Sequence, residues 1–287
     1  MDKLVLGGAQ FLTNYGLTRP NVGSEKDAIE LVDAYCMSAK YPELDTSILY
    51  GAAYGFATRQ HEEFGKIYIK LPVRFFPEKV AHKFELLLNH VARDFGKAKV
   101  SIIIHDFDEI SNLRALLAVE QIHEWAMKHK MKISVGISAY DIQRAFEFYV
   151  SNEHIVSELN LPINILLSDL DRQLLKVLKN KPVNIIARSV FLQGLLVNDR
   201  LENLTGELAK FHQEWHFALP SVQDRIAACL GVATEFADRV VLGFDRVEEL
   251  KQVIAITPVP WDRAIDLMRR FEGFRRKTIA DPRAWIL

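Results

Sequence analysis

The chain has 287 residues, of which 49% are hydrophobic and 25% are charged, a composition typical of globular proteins. Its 36 basic and 37 acidic side chains give a formal net charge of -1, so no overall field draws the protein to nucleic acid or to an anionic membrane. Because no apolar run approaches the roughly 20 residues of a membrane-spanning helix, no secretory signal is recognisable, and Cys36 and Cys229 are far apart, we expect a cytoplasmic protein without disulfide bonds.

Short runs rich in Val, Ile and Leu alternate along the chain with longer amphipathic segments, which is the pattern of repeated strand–helix units. Since there are eight such runs, we predict a single α/β domain, residues 1–287, folded as a (β/α)8 TIM barrel. The predicted strands lie near residues 3–9, 43–46, 66–71, 99–105, 132–137, 162–167, 183–188 and 239–243. The predicted helices lie near residues 24–39, 54–64, 77–95, 109–129, 140–150, 171–180, 220–235 and 246–256.

Polar residues stand at the ends of three consecutive predicted strands. Asp45 and Tyr50 follow the second strand, Lys70 ends the third and His105 ends the fourth. Taken singly, each has a structural explanation, such as capping a helix or extending to solvent. In a parallel barrel, however, the carboxyl ends of the strands converge on one face, where catalytic groups collect. The four residues together therefore predict a catalytic site.

These residue types suit the reduction of a carbonyl group. Such a reaction needs an acid that protonates the developing alkoxide, and a free tyrosine, with a pKa of about 10, releases its proton reluctantly. A neighbouring ammonium lowers that barrier, so we predict that Lys70 stabilises the phenolate of Tyr50 and that Asp45 orients Lys70. His105 would position the substrate oxygen. Tyr50 is thus the predicted proton donor.

The same residues resemble the catalytic blocks of the aldo-keto reductase superfamily. The blocks are Leu44-Asp45-Thr46 with Tyr50-Gly51, Lys70-Leu71 and His105-Asp106. Segments similar to other blocks of the family are Leu6-Gly7-Gly8-Ala9-Gln10-Phe11 with Asn14-Tyr15-Gly16, Gly136-Ile137-Ser138, Asp171-Arg172, Arg188-Ser189, Phe191-Leu192-Gln193-Gly194-Leu195-Leu196, and Gly243 before Glu249-Leu250. The resemblance implies a barrel that binds NADPH or NADH, with hydride passing to an aldehyde or ketone, possibly a sugar-like one.

The resemblance also implies a set of cofactor residues, several of which depart from the family's pattern. Ser138 is followed by alanine where the family often has asparagine, and Asn164 replaces a glutamine on strand six. Arg188 replaces an aromatic residue that stacks on the nicotinamide, and we predict that its planar guanidinium stacks there instead. Arg246 is the only cation near the segment that usually holds the 2′-phosphate. The implied cofactor residues are Ser138, Asn164, Arg188, Ser189, Phe191, Gln193, Gly194, Gly243, Arg246 and Glu249.

Two other functions remain open. One is a nucleotide-binding regulatory or scaffold subunit, which the complete set of four catalytic residues disfavours. The other is non-redox acid–base chemistry on a sugar-like substrate, which the altered cofactor residues leave open.

The long connection at residues 196–219 carries His212 and His216, whose i,i+4 spacing can bind zinc on a helix. No third ligand is evident. We therefore predict no metal, and expect the two histidines to line the mouth of the substrate site.

Overall fold

The structure, a computed structural model, describes residues 2–13, 15–17, 23–74, 81–95, 98–199, 201 and 204–285. Asn14 and the predicted start of the third helix at residue 77 lie outside these ranges. The strands are β1 (Leu4–Gly7), β2 (Glu43–Ser47), β3 (Lys66–Leu71), β4 (Lys99–Ile104), β5 (Ser134–Ser138), β6 (Glu158–Pro162), β7 (Asn184–Arg188) and β8 (Arg239–Leu242). They are parallel and pair in chain order, and β8 pairs with β1, which closes the barrel. The predicted single-domain (β/α)8 fold is confirmed.

Helices follow the strands, and several begin at a side chain that caps the first turn. Ser24 and Asp27 exchange hydrogen bonds at the start of the first helix, as Ser168 and Asp171 do at the sixth, satisfying backbone groups that the helix leaves free. The helices are α1 (Glu25–Ser38), α2 (Ala52–Arg59), α3 (Ala81–Phe95), α4 (Asn112–Lys128), α5 (Ile142–Ser151), α6 (Asp169–Leu178), α7 (Gly206–Ala218), α8 (Val222–Phe236), α9 (Val247–Ala255), α10 (Trp261–Arg270) and α11 (Lys277–Ala280). Within the described residues, every helix is too short or too polar to cross a membrane.

The prediction for the sixth strand was wrong. β6 runs from Glu158 to Pro162, whereas the predicted strand began at residue 162. The apolar run at 163–167 is buried, but it forms the turn that leads into α6. Glu158 and Asn160 interrupt the apolar pattern by which a strand was sought, yet both side chains are buried in the barrel. An apolar run therefore indicated burial here and not strand structure.

Partly buried ion pairs lie at the amino end of the barrel. Tyr68 and Arg239 both donate to the carboxylate of Glu43, each at 2.8 Å. Lys66 donates to the carboxylate of Glu158 at 2.6 Å. Because buried charges need partners, these contacts hold polar groups within the barrel. The candidate functional side chains collect at the opposite, carboxyl end.

Candidate active site

A cavity of about 600 Å³ opens at the carboxyl ends of the strands, a volume suited to an organic ligand. All four predicted catalytic residues line it: Asp45, Tyr50, Lys70 and His105. Most of the predicted cofactor residues line it too: Ser138, Arg188, Ser189, Phe191, Gln193, Gly194, Gly243 and Glu249. Asn164 and Arg246 are not among the lining residues.

Asp45 and Lys70 form a buried ion pair at the bottom of the cavity. Because β2 lies beside β3, the Lys70 ammonium reaches the Asp45 carboxylate, with Nζ 2.5 Å from Oδ1. The residues are 2% and 4% exposed. The second carboxylate oxygen accepts a hydrogen bond of 3.4 Å from the side-chain amide of Asn160 on β6. Two ions removed from water in this way are stable only as a pair.

Tyr50 lies on a short turn of 3-10 helix, Ile48–Tyr50, that follows β2 and ends at Gly51 with φ of 56°. Burial raises the pKa of Tyr50 well above its ordinary value, the Asp45 carboxylate raises it further, and the charge of Arg188 opposes them. Tyr50 therefore holds its proton. As the sequence interpretation expected of the pair, Lys70 donates to Asp45, and no hydrogen bond joins Lys70 to Tyr50 in the described part of the chain. The stabilisation of a Tyr50 phenolate by Lys70 stays a prediction.

His105 follows β4, and its ring stands edge-on to the ring of Tyr50, with centroids 6.1 Å apart. Burial lowers the pKa of His105 to about 3, with a further contribution from the charges of Lys70 and Arg188. The imidazole is therefore neutral. Its Nδ1 is 3.2 Å from the hydroxyl of Ser47, which is also 3.0 Å from the Lys70 carbonyl oxygen. Because that hydroxyl gives its one proton to the carbonyl oxygen, Nδ1 of the neutral imidazole donates to the Ser47 oxygen, and the imidazole proton is on Nδ1.

Arg188, at the end of β7, belongs to a stack of cations and an aromatic ring. The guanidinium carbon of Arg188 is 3.8 Å from the ring centroid of Tyr140, and that of Arg283 is 3.7 Å from the same centroid. Arg188 Nη2 donates to the carbonyl oxygen of Ala139 at 2.7 Å. The stack fixes one face of the Arg188 guanidinium against Tyr140, and all three stacked side chains line the cavity.

The loop after β7 has an unusual backbone. Ser189, Leu192 and Gln193 have φ of 54°, 46° and 53°, in the left-handed region that side chains rarely adopt. Such conformations persist only where surrounding contacts hold them, and they concentrate at functional sites. Asn164 supplies one such contact: its amide nitrogen lies 3.5 Å from the Ser189 carbonyl oxygen and its Oδ1 accepts from Leu166. Asn164 thus braces this loop from outside the cavity.

Carboxylates mark the end of the cavity beside β8. Gln10 donates to Asp245 at 2.5 Å, and the backbone N–H of Asp245 donates to Glu249 at 2.8 Å. Burial raises the pKa of Glu249 above its ordinary value. Gly243 leaves the room that Gln10 occupies, since a Cβ there would lie 1.6 Å from the Gln10 amide oxygen. Arg246, the cation predicted for this region, is exposed.

His212 and His216 do not line the cavity, so the prediction that they form the mouth of the site was wrong. Their rings are 4.0 Å apart on α7. His212 Nε2 is 3.0 Å from the Asn198 carbonyl oxygen, and His216 is 3.6 Å from Asp199. In the part of the chain that the structure describes, no three metal-binding side chains come together. The pair instead contacts the segment that carries Asn198 into the cavity wall.

Asn160 and Tyr140 are the site residues that the sequence did not reveal. Asn160 lies opposite Ser138 in the register of β5 and β6 and holds Asp45. Its Oδ1 is buried and has no partner among the described residues. The period-two alternation of Glu158 and Asn160 with leucines was the available signal, and the stronger apolar run that follows concealed it.

No model of a known protein family matches the chain, and no curated protein matches it. Solved structures do match over nearly the whole length. An aldo-keto reductase from a Medee basin deep-sea metagenome library has a TM-score of 0.61 and 16% identity, covering 94% of this chain and 91% of its own. A putative aldo-keto reductase of Pseudomonas aeruginosa has a TM-score of 0.62 and 12% identity, covering 92% and 90%.

The aldo-keto reductase of Bombyx mori, solved in complex with NADP, has a TM-score of 0.61 and 14% identity, covering 93% of this chain and 88% of its own. At these identities, the similarity concerns the fold. The chain therefore has the (β/α)8 fold of solved aldo-keto reductases, the superfamily that its sequence blocks resemble.

Proposed function

We propose that the protein is a nicotinamide-dependent aldo-keto reductase that reduces an aldehyde or ketone to an alcohol, with Tyr50 as the proton donor. The observation that carries this proposal is the meeting of a buried Asp45–Lys70 pair, a protonated Tyr50 and a neutral His105 around one cavity. The fold shared with solved aldo-keto reductases supports it.

Each of the four side chains has a role in this reaction. His105, which lies edge-on to Tyr50, would position the carbonyl oxygen beside the Tyr50 hydroxyl. The Tyr50 hydroxyl gives up its proton only as the oxygen becomes an alkoxide, which is a stronger base than a phenolate. The Lys70 ammonium, held by Asp45, supplies positive charge as negative charge develops. A bound nicotinamide dinucleotide supplies the hydride that the carbonyl carbon accepts.

The cavity fits such a cofactor in several respects. It extends from Tyr50 to the end of the cavity beside β8. Ser138 lies in the wall and offers a hydroxyl to the nicotinamide amide. At the β8 end, Asp245 and Glu249 suit the ribose hydroxyls of NADH better than the 2′-phosphate of NADPH, because carboxylates accept from hydroxyls and repel phosphate.

Titration of the purified protein with NADH and NADPH tests the proposal, with binding followed by quenching of its four tryptophans. The loaded protein is then offered aldehydes, ketones and sugars while nicotinamide absorbance is recorded. Oxidation of the nucleotide that depends on a carbonyl compound supports the proposal. Nucleotide binding without turnover of any compound favours the regulatory subunit. Conversion of a sugar without nucleotide favours non-redox acid–base chemistry.

A further inference from the structure

Arg188 differs from the other cations of the cavity in having no carboxylate partner. Within the described residues, no ion pair includes Arg188. Each of the other three is paired: Lys70 with Asp45, Arg74 with Asp106 and Glu109, and Arg283 with Asp108 and Asp281. The cavity therefore contains one guanidinium whose charge the described carboxylates do not balance by direct contact.

The guanidinium of Arg188 is held firmly by neutral groups. Tyr140 covers one face, the Ala139 carbonyl oxygen accepts from Nη2 at 2.7 Å, and the Ser189 hydroxyl lies 3.3 Å from Nη1. Its Nε is buried and has no partner in the described part of the chain. Nη1 and Nη2 each have a second N–H beyond these contacts. A cation ordered in this way is already arranged to receive an anion, since little side-chain freedom remains to be lost.

Arg188 lies at the reacting end of the cavity. It lines the same cavity as Tyr50 and His105, the two groups that would meet the carbonyl oxygen, and its charge lowers the pKa of both. The pyrophosphate of a dinucleotide is separated from the carbonyl group by the nicotinamide and a ribose. An anion that meets Arg188 beside Tyr50 and His105 therefore belongs to the substrate and not to that pyrophosphate.

A single negative charge suits this environment better than a double one. The Asp106 and Glu109 carboxylates also line the cavity, and they would repel a phosphate dianion. One carboxylate would balance the charge of Arg188, and its planar pair of oxygens matches the donors of a guanidinium. A neutral substrate would leave the partly buried charge without a partner, which is unfavourable.

We propose that Arg188 is a substrate-binding residue and that the carbonyl substrate carries a carboxylate group. This inference rests on the proposed function, because it names the substrate class of the same site. The sequence interpretation that Arg188 stacks on the nicotinamide stays a prediction. Stacking on the nicotinamide would use a face of the guanidinium, whereas a carboxylate would accept from N–H donors that lie in the guanidinium plane.

Matched pairs of substrates test the inference by turnover. The pairs are glyoxylate, 4-oxobutanoate and 4-formylbenzoate, each against its methyl ester, and kcat/KM is measured for the wild type, Arg188→Gln and Arg188→Lys. We expect the wild type to prefer the carboxylate member. In Arg188→Gln the ratio of kcat/KM for the acid to that for the ester should fall by roughly 10- to 100-fold, as expected for the loss of one hydrogen-bonded charge pair. Arg188→Lys should keep part of the wild-type ratio. Equal use of acids and esters by the wild type, or an equal loss for both in Arg188→Gln, would overturn the inference.

A binding experiment separates this inference from the proposed function. Calorimetry measures the affinity of the protein, with nucleotide added, for the corresponding hydroxy acids and for their amides. In one outcome, the wild type binds the hydroxy acids more tightly than the amides, Arg188→Gln loses this difference, and no carbonyl compound is reduced. That outcome would support the anion site and overturn the proposed reductase activity. Arg74→Gln is the matched control: its charge is already paired, so its effect should be smaller. An effect as large as that of Arg188→Gln would overturn the assignment to Arg188. Absence of hydroxy-acid binding together with absence of reduction would overturn both.

Discussion

Replacing Lys70 by methionine should destabilise the fold as well as stop the reaction. Met preserves much of the apolar length of the side chain but removes the ammonium that lies 2.5 Å from Asp45 Oδ1. Asp45 is 2% exposed, so its carboxylate would keep only the long amide contact from Asn160. Removing one partner of a buried pair costs about 3–5 kcal/mol of the free energy of unfolding.

Urea unfolding at neutral pH, followed by circular dichroism, measures this cost. The double variant Asp45→Asn/Lys70→Met removes both charges and should recover most of the lost stability. Lys128→Met is the surface control, because Lys128 donates to Glu85 at 2.6 Å but is 66% exposed, and it should cost less than about 1 kcal/mol. A Lys70→Met protein within about 1 kcal/mol of the wild type, or a double variant as unstable as the single one, would refute the reasoning.

Three further predictions concern other parts of the structure. Below about pH 6.5 the unfolded chain binds a proton that folded His105, with a pKa of about 3, does not bind. The free energy of unfolding therefore decreases as the pH is lowered from about 6.5 to about 3, by up to about 1.4 kcal/mol per pH unit. His105→Gln should flatten that slope in urea unfolding series, and identical slopes would contradict the lowered pKa. Gly136→Ala should cost about 1–3 kcal/mol in the same assay, because the added Cβ would lie 2.3 Å from the backbone oxygen of Glu158, whereas Gly273→Ala meets nothing within 4 Å. A Gly136→Ala protein no less stable than Gly273→Ala would argue against the tight contact. Asp245→Asn should raise NADPH affinity relative to NADH by roughly tenfold, by removing a carboxylate from the β8 end, and an unchanged ratio of dissociation constants would place the 2′-phosphate elsewhere.

Local patterns predicted the barrel and four of the residues that line its cavity, Asp45, Tyr50, Lys70 and His105. The period of the apolar runs gave the strand–helix alternation, and adjacent strands explain why Asp45 meets Lys70. The contact between Tyr140 and Arg283 joins residues far apart in the chain, so no local pattern contains it. The sixth strand was displaced because a buried turn has the same apolar composition as a buried strand.

The charge environment of Tyr50 was predicted only in part, because it depends on distances between side chains. The strand ends indicated that Asp45 orients Lys70, and the structure pairs these two residues. They did not indicate that Arg188 is the cation that opposes the rise in the Tyr50 pKa. Which of several cations near a strand end acts on a given group follows from the packing of the barrel.

Single-turnover reduction by the Tyr50→Phe variant tests the central claim most directly. The phenylalanine keeps the ring beside His105 and removes only the proton donor. The proposed mechanism predicts that nucleotide affinity is kept while the rate of the hydride step falls by about 10²- to 10⁴-fold, the usual contribution of a general acid. Tyr41→Phe, at a residue that is 70% exposed, is the control and should react like the wild type. A Tyr50→Phe enzyme that reduces the carbonyl compound at the wild-type rate would contradict the assignment of Tyr50 as the proton donor.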